Sequence, residues 1–309
     1  MRCLVTGATG FVGRHLVAEL DSRGNAVVSL GTDEDCDYRV DIRDASAVES
    51  AVKDSGAEAV YHLAAVAFVP RANADPEVAD AVNRGGTANV LDAAAGVGAR
   101  SLVVSTGAVY GKVAAEDMPI REDQNIAPVD AYARSKAASE EECERRSGVQ
   151  EIVRVRPFNL TGPGQATDYV CSDFAGQIAA AEVGGVPARM RTGDLSAERD
   201  FSDVRDAVRA YVLALEQGVA GEAYNICSGT PVSMRTILDT LISFASVPVE
   251  VETESSRLRP GEVKRAFGSA EKLCSIARWE REYPLERTLA DLLDDRRAAV
   301  GASASDIRK

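Results

Sequence analysis

The fold of this chain is decided by a stretch at its start, Cys3-Leu4-Val5-Thr6-Gly7-Ala8-Thr9-Gly10-Phe11-Val12-Gly13. An apolar run leads into three glycines that are spaced three residues apart, and a helical pattern follows from His15 to Leu20. This order predicts a strand, a tight turn and a helix. Glycines let the backbone come close to a pyrophosphate, whose charge the helix N-terminus then holds through its amides and dipole. The stretch therefore predicts a dinucleotide-binding turn, with an ordinary strand-to-helix loop as the alternative.

A tyrosine and a lysine stand four residues apart further along the chain. Tyr132 and Lys136 lie in the segment Ala131 to Arg146, which is rich in Ala, Glu, Lys and Arg, so both are predicted on one face of a helix. A nearby ammonium favours the phenolate and lowers the pKa of a tyrosine from about 10 towards the working pH. Such a tyrosine suits general acid/base catalysis. An isolated pair of this kind can be a surface pair, but downstream of the glycine turn we interpret it as catalytic.

The first half of the chain alternates between short apolar runs and helical patterns. This alternation predicts an α/β fold of the Rossmann type, a doubly wound parallel sheet that binds its ligand at the carboxyl ends of the strands. The predicted strands occupy residues 3–6, 26–30, 59–63, 101–105 and 152–155, and the predicted helices occupy residues 11–22, 44–54, 78–97 and 131–147.

These features resemble the extended short-chain dehydrogenase/reductases of the NAD-dependent epimerase/dehydratase family, from residue 1 to about residue 297. Three further segments carry the resemblance. They are Asp41-Ile42, which matches an acidic-apolar pair at the adenine, His62-Leu63-Ala64-Ala65 after an apolar strand, and Ser105-Thr106-Gly107-Ala108-Val109-Tyr110-Gly111 after another.

The resemblance implies a role for each of these residues. Thr106, Tyr132 and Lys136 are expected to be catalytic, with Thr106 hydrogen-bonding the reacting oxygen of a sugar. His62 is expected to pack and orient its neighbours and not to transfer protons. The residues expected to bind the cofactor are Gly7, Thr9, Gly10, Phe11, Val12, Gly13, Asp41, Ile42, Leu63, Ala64, Ala65, Tyr132 and Lys136.

The second half carries a closer resemblance, to the GDP-4-keto-6-deoxy-mannose reductases and the GDP-mannose 4,6-dehydratases. The matching segments span residues 156–165, 170–174 and 197–206. The resemblance implies that the substrate is bound by Thr106 and Asn159, and that Arg199 and Arg259 clamp the nucleotide diphosphate. Guanidinium groups fit phosphate oxygens in a bidentate way, although surface arginines are the alternative interpretation.

The two residues after Thr106 depart from the dehydratases. Dehydration across C5–C6 needs an extra carboxylate that moves a proton from C5 and helps hydroxide to leave C6, and the dehydratases carry it there. This chain has Gly107 and Ala108, and neither can transfer a proton. We therefore expect reduction of the C4 ketone of a 4-keto-6-deoxy nucleotide sugar, with GDP-4-keto-6-deoxy-D-mannose giving GDP-D-rhamnose.

Three alternatives to a reductase remain open from the sequence. A 4-epimerase with tightly bound NAD would use the same three catalytic residues, and a 4,6-dehydratase is a weaker alternative. A non-catalytic dinucleotide sensor is disfavoured, because such proteins lose the tyrosine and the lysine that this chain keeps at Tyr132 and Lys136.

The choice between NADH and NADPH depends on the segment that follows the second predicted strand. NAD-selective relatives carry an acidic residue at the strand tip for the ribose 2′-hydroxyl, whereas here Gly31 and Thr32 precede Asp33. Arg14 and Arg39 are candidates to receive a 2′-phosphate. We expect NAD(P)H as the cofactor, with a slight preference for NADPH.

Composition excludes several classes of partner. A formal net charge of −13 argues against nucleic acid. The cysteines form no Cys-x-x-Cys pair, and with only two histidines no zinc-like cluster can be assembled, so no metal is expected. With no signal pattern and no apolar run of about eighteen residues, we expect no membrane partner and a cytoplasmic location. A GDP-linked sugar and a second copy of the chain, paired through helices 78–97 and 131–147, are the expected partners.

Two interleaved domains and a tail are expected. Residues 1–156 with about 200–227 should form the NAD(P)-binding Rossmann domain. Residues 157–199 and 228–300 should form a smaller α/β nucleotide-sugar-binding domain, in which Ser233 caps a helix. Residues 301–309 are small and polar and should form a flexible tail.

Overall fold

The computed structural model describes residues 1–257 and 263–306. Its strands are β1 (Arg2–Thr6), β2 (Ala26–Gly31), β3 (Tyr38–Arg39), β4 (Ala59–His62), β5 (Arg100–Val104), β6 (Ile152–Pro157), β7 (Asn159–Thr161), β8 (Ala188–Thr192), β9 (Glu198–Asp203), β10 (Ala223–Ile226), β11 (Pro231–Ser233), β12 (Val249–Thr253) and β13 (Arg265–Ala266). Its helices are α1 (Phe11–Ser22), α2 (Ala45–Ser55), α3 (Val69–Ala74), α4 (Pro76–Asp80), α5 (Gly86–Val97), α6 (Ala131–Arg145), α7 (Val170–Gly184), α8 (Val204–Gln217), α9 (Met234–Ser243), α10 (Glu271–Ile276) and α11 (Leu285–Asp306).

The described residues form a parallel sheet in the order β10-β6-β5-β4-β1-β2-β3. From β1 the chain builds outward to β2 and β3, and it then returns to the other side of β1 at β4. The strand order therefore reverses beside β1, and in open α/β sheets a ligand binds at the carboxyl ends of the strands at such a point. The predicted Rossmann-type sheet is confirmed.

Local signals set the ends of the helices that flank this sheet. The Asp44 carboxylate caps α2 by accepting a hydrogen bond from Ala47 N, and Gly56 ends the same helix with a left-handed backbone at φ 62°. Asp130 caps α6 in the same way through Ala133 N. The helix that carries Tyr132 and Lys136 therefore starts at a defined residue.

The helix predicted over residues 78–97 is interrupted. Residues 81–85 form one π-helical turn between α4 and α5. A π turn inserts one extra residue into a helix and often marks a functional position. At this turn the side chain of Asn83 contacts the backbone of Val66. Asn83 Oδ1 accepts a hydrogen bond from Val66 N, and Asn83 Nδ2 donates one to Val66 O. The apolar periodicity of the segment did not reveal this.

The chain divides into two compact units, each built from three segments. The first unit comprises Met1–Phe158, Ala207–Ile226 and Gly268–Glu280, and the second comprises Asn159–Asp206, Cys227–Phe267 and Arg281–Lys309. This division has two main differences from the predicted domains. The return to the first unit comes at Ala207 and not near residue 200. Residues 268–280 also belong to the first unit, because Ser269 N donates to Ile120 O and Lys272 donates to Ala223 O.

The second unit has its own sheets and its own core. In its main sheet β9 pairs with β11 antiparallel, and with β7 and β13 parallel, while β8 and β12 form a separate parallel pair. Helices α7, α9 and α11 bury their apolar faces against one another, around a cluster that includes Phe174, Ile178, Leu238 and Leu292. Ser233 caps α9 as predicted, since its hydroxyl accepts Thr236 N.

The prediction of a loose tail from Gly301 is wrong for residues 301–306, which continue α11. Alanine favours helix over coil, and a helix needs no apolar stripe to extend by one more turn. Residues 307–309 lie outside the described part.

Two features are absent from residues 1–257 and 263–306. No helix there combines the length and apolar character needed to cross a bilayer. No group of three or more His, Cys, Asp or Glu side chains there is arranged to hold a metal ion. Of the six cysteines, Cys274 is exposed and the others are buried.

Candidate active site

In the turn after β1, the backbone at Gly7 and Gly13 is packed too tightly for a side chain at either position. Gly7 has a left-handed backbone at φ 70°, and a Cβ there would lie 2.9 Å from Ala64 N. At Gly13 a Cβ would lie 2.1 Å from Gly7 O. Gly10 precedes α1 with no side-chain cap on the helix amides, and the first turn holds no acidic residue. The turn therefore leaves backbone amides and a positive helix end for an anion, which fits a dinucleotide pyrophosphate.

Beneath this turn, the side chain of His62 at the end of β4 links β1 to α5 through two hydrogen bonds. His62 Nδ1 lies 2.8 Å from Thr6 Oγ1, and Nε2 lies 3.0 Å from Thr87 Oγ1. Thr87 gives its only hydroxyl proton to Asn83 O, so His62 Nε2 is the donor to Thr87 and Nδ1 accepts from Thr6. Burial lowers the pKa of His62 to about 3, helped by the nearby charge of Lys136. His62 is therefore neutral and orients its neighbours.

The segment after β4 is tied to the same network. Thr6 Oγ1 accepts hydrogen bonds from Leu63 N and Ala64 N, both at 3.1 Å. Because Ala64 N also faces Gly7, residues 63–65 lie next to the glycine turn, where the sequence predicted a wall of the cofactor site. Thr9 lies in this turn and meets the loop that follows β2.

Asp41 and Ile42 take different positions from each other. Asp41 is half-buried, and its carboxylate pairs with the Arg43 guanidinium at 2.6 Å. This contact lowers the pKa of Asp41. Ile42 is buried in the core, where it lies so close to Gly86 that a Cβ at that glycine would meet it at 2.4 Å. Ile42 thus packs beneath the site, and its contact with a cofactor stays a prediction.

The three predicted catalytic residues lie in the first unit. Lys136 Nζ donates to Val104 O at 2.6 Å, at the end of β5 and two residues before Thr106. Burial lowers the pKa of Lys136 to about 8, although the nearby carboxylate of Glu140 opposes the shift. Tyr132 lies one helical turn before Lys136 on α6 and packs against the cluster of Val66, Ala72 and Ala79. Strand β5 and helix α6 thus bring an ammonium close to the Thr106 segment.

Asn83 supports the helix that carries Tyr132, and sequence reasoning missed it. Its side-chain amide donates to Ser135 Oγ at 2.8 Å, and Ser135 Oγ donates to Tyr132 O. The backbone carbonyl oxygen of Asn83 accepts a hydrogen bond from Ser139 Oγ. The sequence gives no signal for this role, because Asn83 stands near other polar residues and its burial is seen only in the structure.

A buried polar network, which the sequence also did not reveal, lies below the Thr106 segment. Glu140 accepts hydrogen bonds from Ser105 Oγ at 2.5 Å and from Arg156 Nη2 at 2.7 Å. Arg156 Nη1 in turn donates to Tyr110 OH, which donates to the buried Asn225. The network fixes Ser105, the residue before Thr106, from below.

A side chain at the position after Thr106 would make a tight contact. A Cβ at Gly107 would lie 3.0 to 3.2 Å from the ring of Phe158, and that ring stacks on the buried Tyr110. Ala108 N donates to Thr106 Oγ1 at 3.2 Å. An acid at position 107 would therefore need Phe158 to move.

The second unit contains a cavity of about 630 Å³ that brings together Asn159 and Arg199. Asn159 donates to Asp200 O at 2.9 Å, and the buried Asp200 carboxylate accepts Ser228 N and Gly229 N. Arg257 also lines the cavity and pairs with Asp173 at 2.7 Å. Sequence reasoning missed Arg257. Arg259, which it named, lies outside the described residues.

The chain is similar to known proteins over nearly its whole length. GDP-6-deoxy-D-mannose reductase of Pseudomonas aeruginosa is 36% identical over 299 residues, which cover 95% of this chain and 96% of that protein. The structure of RMD from Pseudomonas aeruginosa complexed with NADPH matches with a TM-score of 0.88 at 33% identity, covering 96% of this chain and 99% of that one.

An epimerase is similar at lower identity. The UDP-glucose 4-epimerase of Thermus thermophilus in complex with NAD matches with a TM-score of 0.84 at 29% identity, covering 97% of this chain and 100% of that one. The sequence model of the NAD dependent epimerase/dehydratase family matches residues 3–227. The chain therefore belongs to the NAD-dependent epimerase/dehydratase family.

Proposed function

We propose that this chain reduces the C4 ketone of a 4-keto-6-deoxy nucleotide sugar at the expense of a reduced nicotinamide dinucleotide. The reaction we favour converts GDP-4-keto-6-deoxy-D-mannose to GDP-D-rhamnose. The observation that carries the proposal is the 36% identity to a GDP-6-deoxy-D-mannose reductase across 95% of this chain and 96% of that protein.

The first unit fits the dinucleotide. Side chains at Gly7 and Gly13 would meet backbone atoms, and the uncapped start of α1 offers amides to a pyrophosphate. When bound there, the nicotinamide supplies the hydride that C4 receives. We assign the cofactor contacts to the glycine turn, to Asp41 and to residues 63–65.

In the proposed reaction the chain supplies and positions the proton. Tyr132 gives its hydroxyl proton to the C4 oxygen, where negative charge grows as the ketone is reduced, and Thr106 donates a hydrogen bond to the same oxygen. Donors placed where charge develops stabilise the transition state more than the ground state. Lys136, held on Val104 O, keeps a positive charge that favours loss of the Tyr132 proton. Tyr132 then regains a proton from water.

The position after Thr106 separates reduction from dehydration. Dehydration needs a carboxylate to take the C5 proton, whereas this chain has Gly107 and Ala108 there. A Cβ at position 107 would lie 3.0 Å from the ring of Phe158, so the ring would have to shift by a few tenths of an ångström to admit a side chain there. These observations favour reduction, because reduction uses only the three groups already present.

The second unit is proposed to hold the nucleotide diphosphate. Arg199 and Arg257 line its cavity, and guanidinium groups suit diphosphate oxygens. Asn159, fixed by Asp200 O, is placed to contact the substrate. GDP as the nucleotide, Arg259 as a further clamp, a cytoplasmic location and a homodimer belong to this proposal. Light scattering tests the last, since a monomeric mass would remove it.

A 4-epimerase is the second candidate, and the 29% identity to a UDP-glucose 4-epimerase over 97% of the chain supports it. An epimerase takes a hydride and returns it, so it consumes no cofactor.

Product analysis tests the proposed function. With reduced cofactor and GDP-4-keto-6-deoxy-D-mannose, we expect a 6-deoxy sugar identified by nuclear magnetic resonance as GDP-D-rhamnose. With NAD(P)⁺ and GDP-mannose, we expect no keto-sugar. A keto-sugar in the second experiment would establish a dehydratase and overturn the proposal.

A further inference from the structure

The tyrosine proposed as the proton donor stands in the first turn of its helix. Tyr132 is the second residue of α6, after the Asp130 cap. The first N–H groups of a helix have no partner within that helix, so its first turn opens more readily than its middle. Lys136 lies one turn further in and is tied to Val104 O. The position of the Tyr132 backbone therefore depends on contacts from outside α6.

The chain that enters α6 does little to fix this turn. Residues 121–130 are all exposed or half-buried, and Val129, next to the cap residue, is 53% exposed. Three residues before the cap, Ala127 N donates a hydrogen bond to Val109 O. The segment between that bond and the helix is open to solvent, so it can shift without losing buried contacts.

Asn73 on α3 supplies a contact from another element. Its side-chain oxygen Oδ1 accepts a hydrogen bond from Ala131 N at 3.0 Å, across 58 residues of sequence. The Asp130 carboxylate accepts Ala133 N at 2.8 Å from within the cap itself. Both acceptors satisfy N–H groups that the first turn leaves unpaired, and Asn73 is the one that ties this turn to a separate helix. The bond lies at the residue directly before Tyr132.

Helix α3 is itself held at a defined position, so Asn73 can serve as an anchor. Ala72, the residue before it, is fully buried in the cluster with Val66 on which Tyr132 packs. The side chain of Asn83 bonds Val66 at both N and O. One short helix thus contributes to the surface under the Tyr132 ring and also bonds the backbone beside it.

We infer that Asn73 is a positioning residue for the reaction, which holds the first turn of α6 where the Tyr132 hydroxyl meets the C4 oxygen. The inference rests on the proposed function in taking Tyr132 as the proton donor. A displacement of about 1 Å at a reacting group can cost about 100-fold in rate, so one bond to the adjacent backbone is enough to matter. Asn73 acts through Tyr132 and takes no part in proton transfer.

Single-turnover kinetics of Asn73→Ala test this role with the ketone and the reduced cofactor. We expect the rate of cofactor oxidation to fall about tenfold, while the dissociation constant of the cofactor changes by less than about threefold. Asn73→Asp keeps an acceptor for Ala131 N and should return the rate to within about threefold of wild type.

Asn25→Ala is the matched control. It makes the same substitution and loses one hydrogen bond to a helix backbone, from Asn25 Nδ2 to Leu20 O at the end of α1. Its single-turnover rate should stay within about twofold of wild type, because α1 ends away from Tyr132.

A double-mutant cycle separates the positioning of Tyr132 from a general loss of structure. In the Tyr132→Phe background the hydroxyl that Asn73 positions is gone, so adding Asn73→Ala should lower the residual rate by less than about twofold. A purely structural role would give the same tenfold loss in both backgrounds and would overturn the inference.

Amide hydrogen exchange, followed by mass spectrometry, checks the bond without turnover. In Asn73→Ala, peptides covering residues 129–134 should exchange about tenfold faster, and those covering residues 139–145 should keep the wild-type rate. Unchanged exchange at the start of α6, or an unchanged single-turnover rate, would overturn the inference. A wild type that binds the cofactor but does not reduce the ketone would instead overturn the proposed function, and exchange would still decide whether Asn73 anchors the helix.

Discussion

Arg156 holds Glu140 through two charge-assisted hydrogen bonds, Nη2 to Oε2 at 2.7 Å and Nε to Oε1 at 2.9 Å, and both side chains are buried. Ser105 Oγ donates to the same carboxylate at 2.5 Å. A buried ion pair adds little to stability as a unit, but removing one partner leaves the other charge uncompensated. The position of Ser105, next to Thr106, therefore depends on a Glu140 carboxylate whose charge is matched by Arg156.

The first prediction concerns this pair. Glu140→Gln should lower the free energy of unfolding by about 3–5 kcal/mol, because Arg156 keeps its charge in a buried site. Urea unfolding at pH 7 measures the change. Glu141→Gln is the control, since Glu141 pairs with Arg145 at the surface at 3.8 Å and such pairs contribute about 1 kcal/mol or less. Equal effects of the two substitutions would contradict the role given to the buried pair.

The second prediction concerns the tight backbone packing between Gly13 and Gly7 in the glycine turn. Gly13→Ala places a Cβ 2.1 Å from Gly7 O, so the turn must open, and we expect cofactor affinity to fall about 100-fold or more. Gly96→Ala is the control, because that glycine lies in α5 with no atom within 4 Å of its Cβ, and alanine should stabilise the helix by about 1 kcal/mol or less. Cofactor titration and thermal unfolding give both values. Retained affinity in Gly13→Ala would exclude this turn as the pyrophosphate site.

The third prediction is a loss of stability in acid through His62. Its pKa is about 3 in the folded chain and about 6.5 when unfolded, so between these values only the unfolded chain takes up the proton. The free energy of unfolding therefore falls as pH is lowered from 6.5 towards 3.

His62→Gln tests this contribution. It should cost about 1–3 kcal/mol at pH 7, because Thr6 or Thr87 loses a partner, and it should flatten the dependence between pH 6.5 and 4. Chemical unfolding across this range measures it. A wild-type slope in His62→Gln would show that acid acts elsewhere.

The fourth prediction follows from the Lys136 ammonium. Its pKa of about 8 means that kcat/KM of the wild type should fall as pH rises above 8, because the neutral amine no longer favours loss of the Tyr132 proton. Lys136→Arg keeps its charge throughout this range, so its activity, although lower, should fall less steeply above pH 8 than that of the wild type. A wild-type profile that is flat between pH 7 and 9.5 would contradict this role.

The fifth prediction concerns the proton donor. Tyr132→Phe removes the hydroxyl and keeps the ring that packs on Val66, so kcat should fall by about 10² to 10⁴. The dissociation constant of the cofactor should change by less than about threefold, which separates lost chemistry from lost binding. Turnover within a few fold of wild type would assign proton transfer to another group.

The parts of the fold that sequence predicted are those specified locally. The apolar run before Gly7, the helix after it and the Tyr132–Lys136 spacing each depend on residues within a few positions of one another. The supporting contacts do not. Glu140 looks like one of several charges on an exposed helix until Arg156 and Ser105 are placed against it, and Asn83 looks like an ordinary helix residue until its π turn is seen.

Long-range pairing explains the remaining differences. Residues 268–280 join the first unit through contacts with Ile120 and Ala223 that no periodicity announces. Asp33 reads as displaced along the chain, yet the loop returns it to Thr9. Arg257 enters the cavity of the second unit beside Arg199, although the resemblance pointed to Arg259.

The central claim is net reduction, and the stoichiometry of the cofactor tests it most directly. Purified protein is mixed with NADPH or, in a parallel sample, with NADH, and with a limiting amount of GDP-4-keto-6-deoxy-D-mannose, and the absorbance of the reduced nicotinamide is followed to equilibrium. We expect one nicotinamide to be oxidised for each ketone consumed, with GDP-D-rhamnose as the product. Unchanged absorbance with the keto-sugar intact, in protein that binds the cofactor, would contradict the claim and favour an epimerase acting on a different nucleotide sugar.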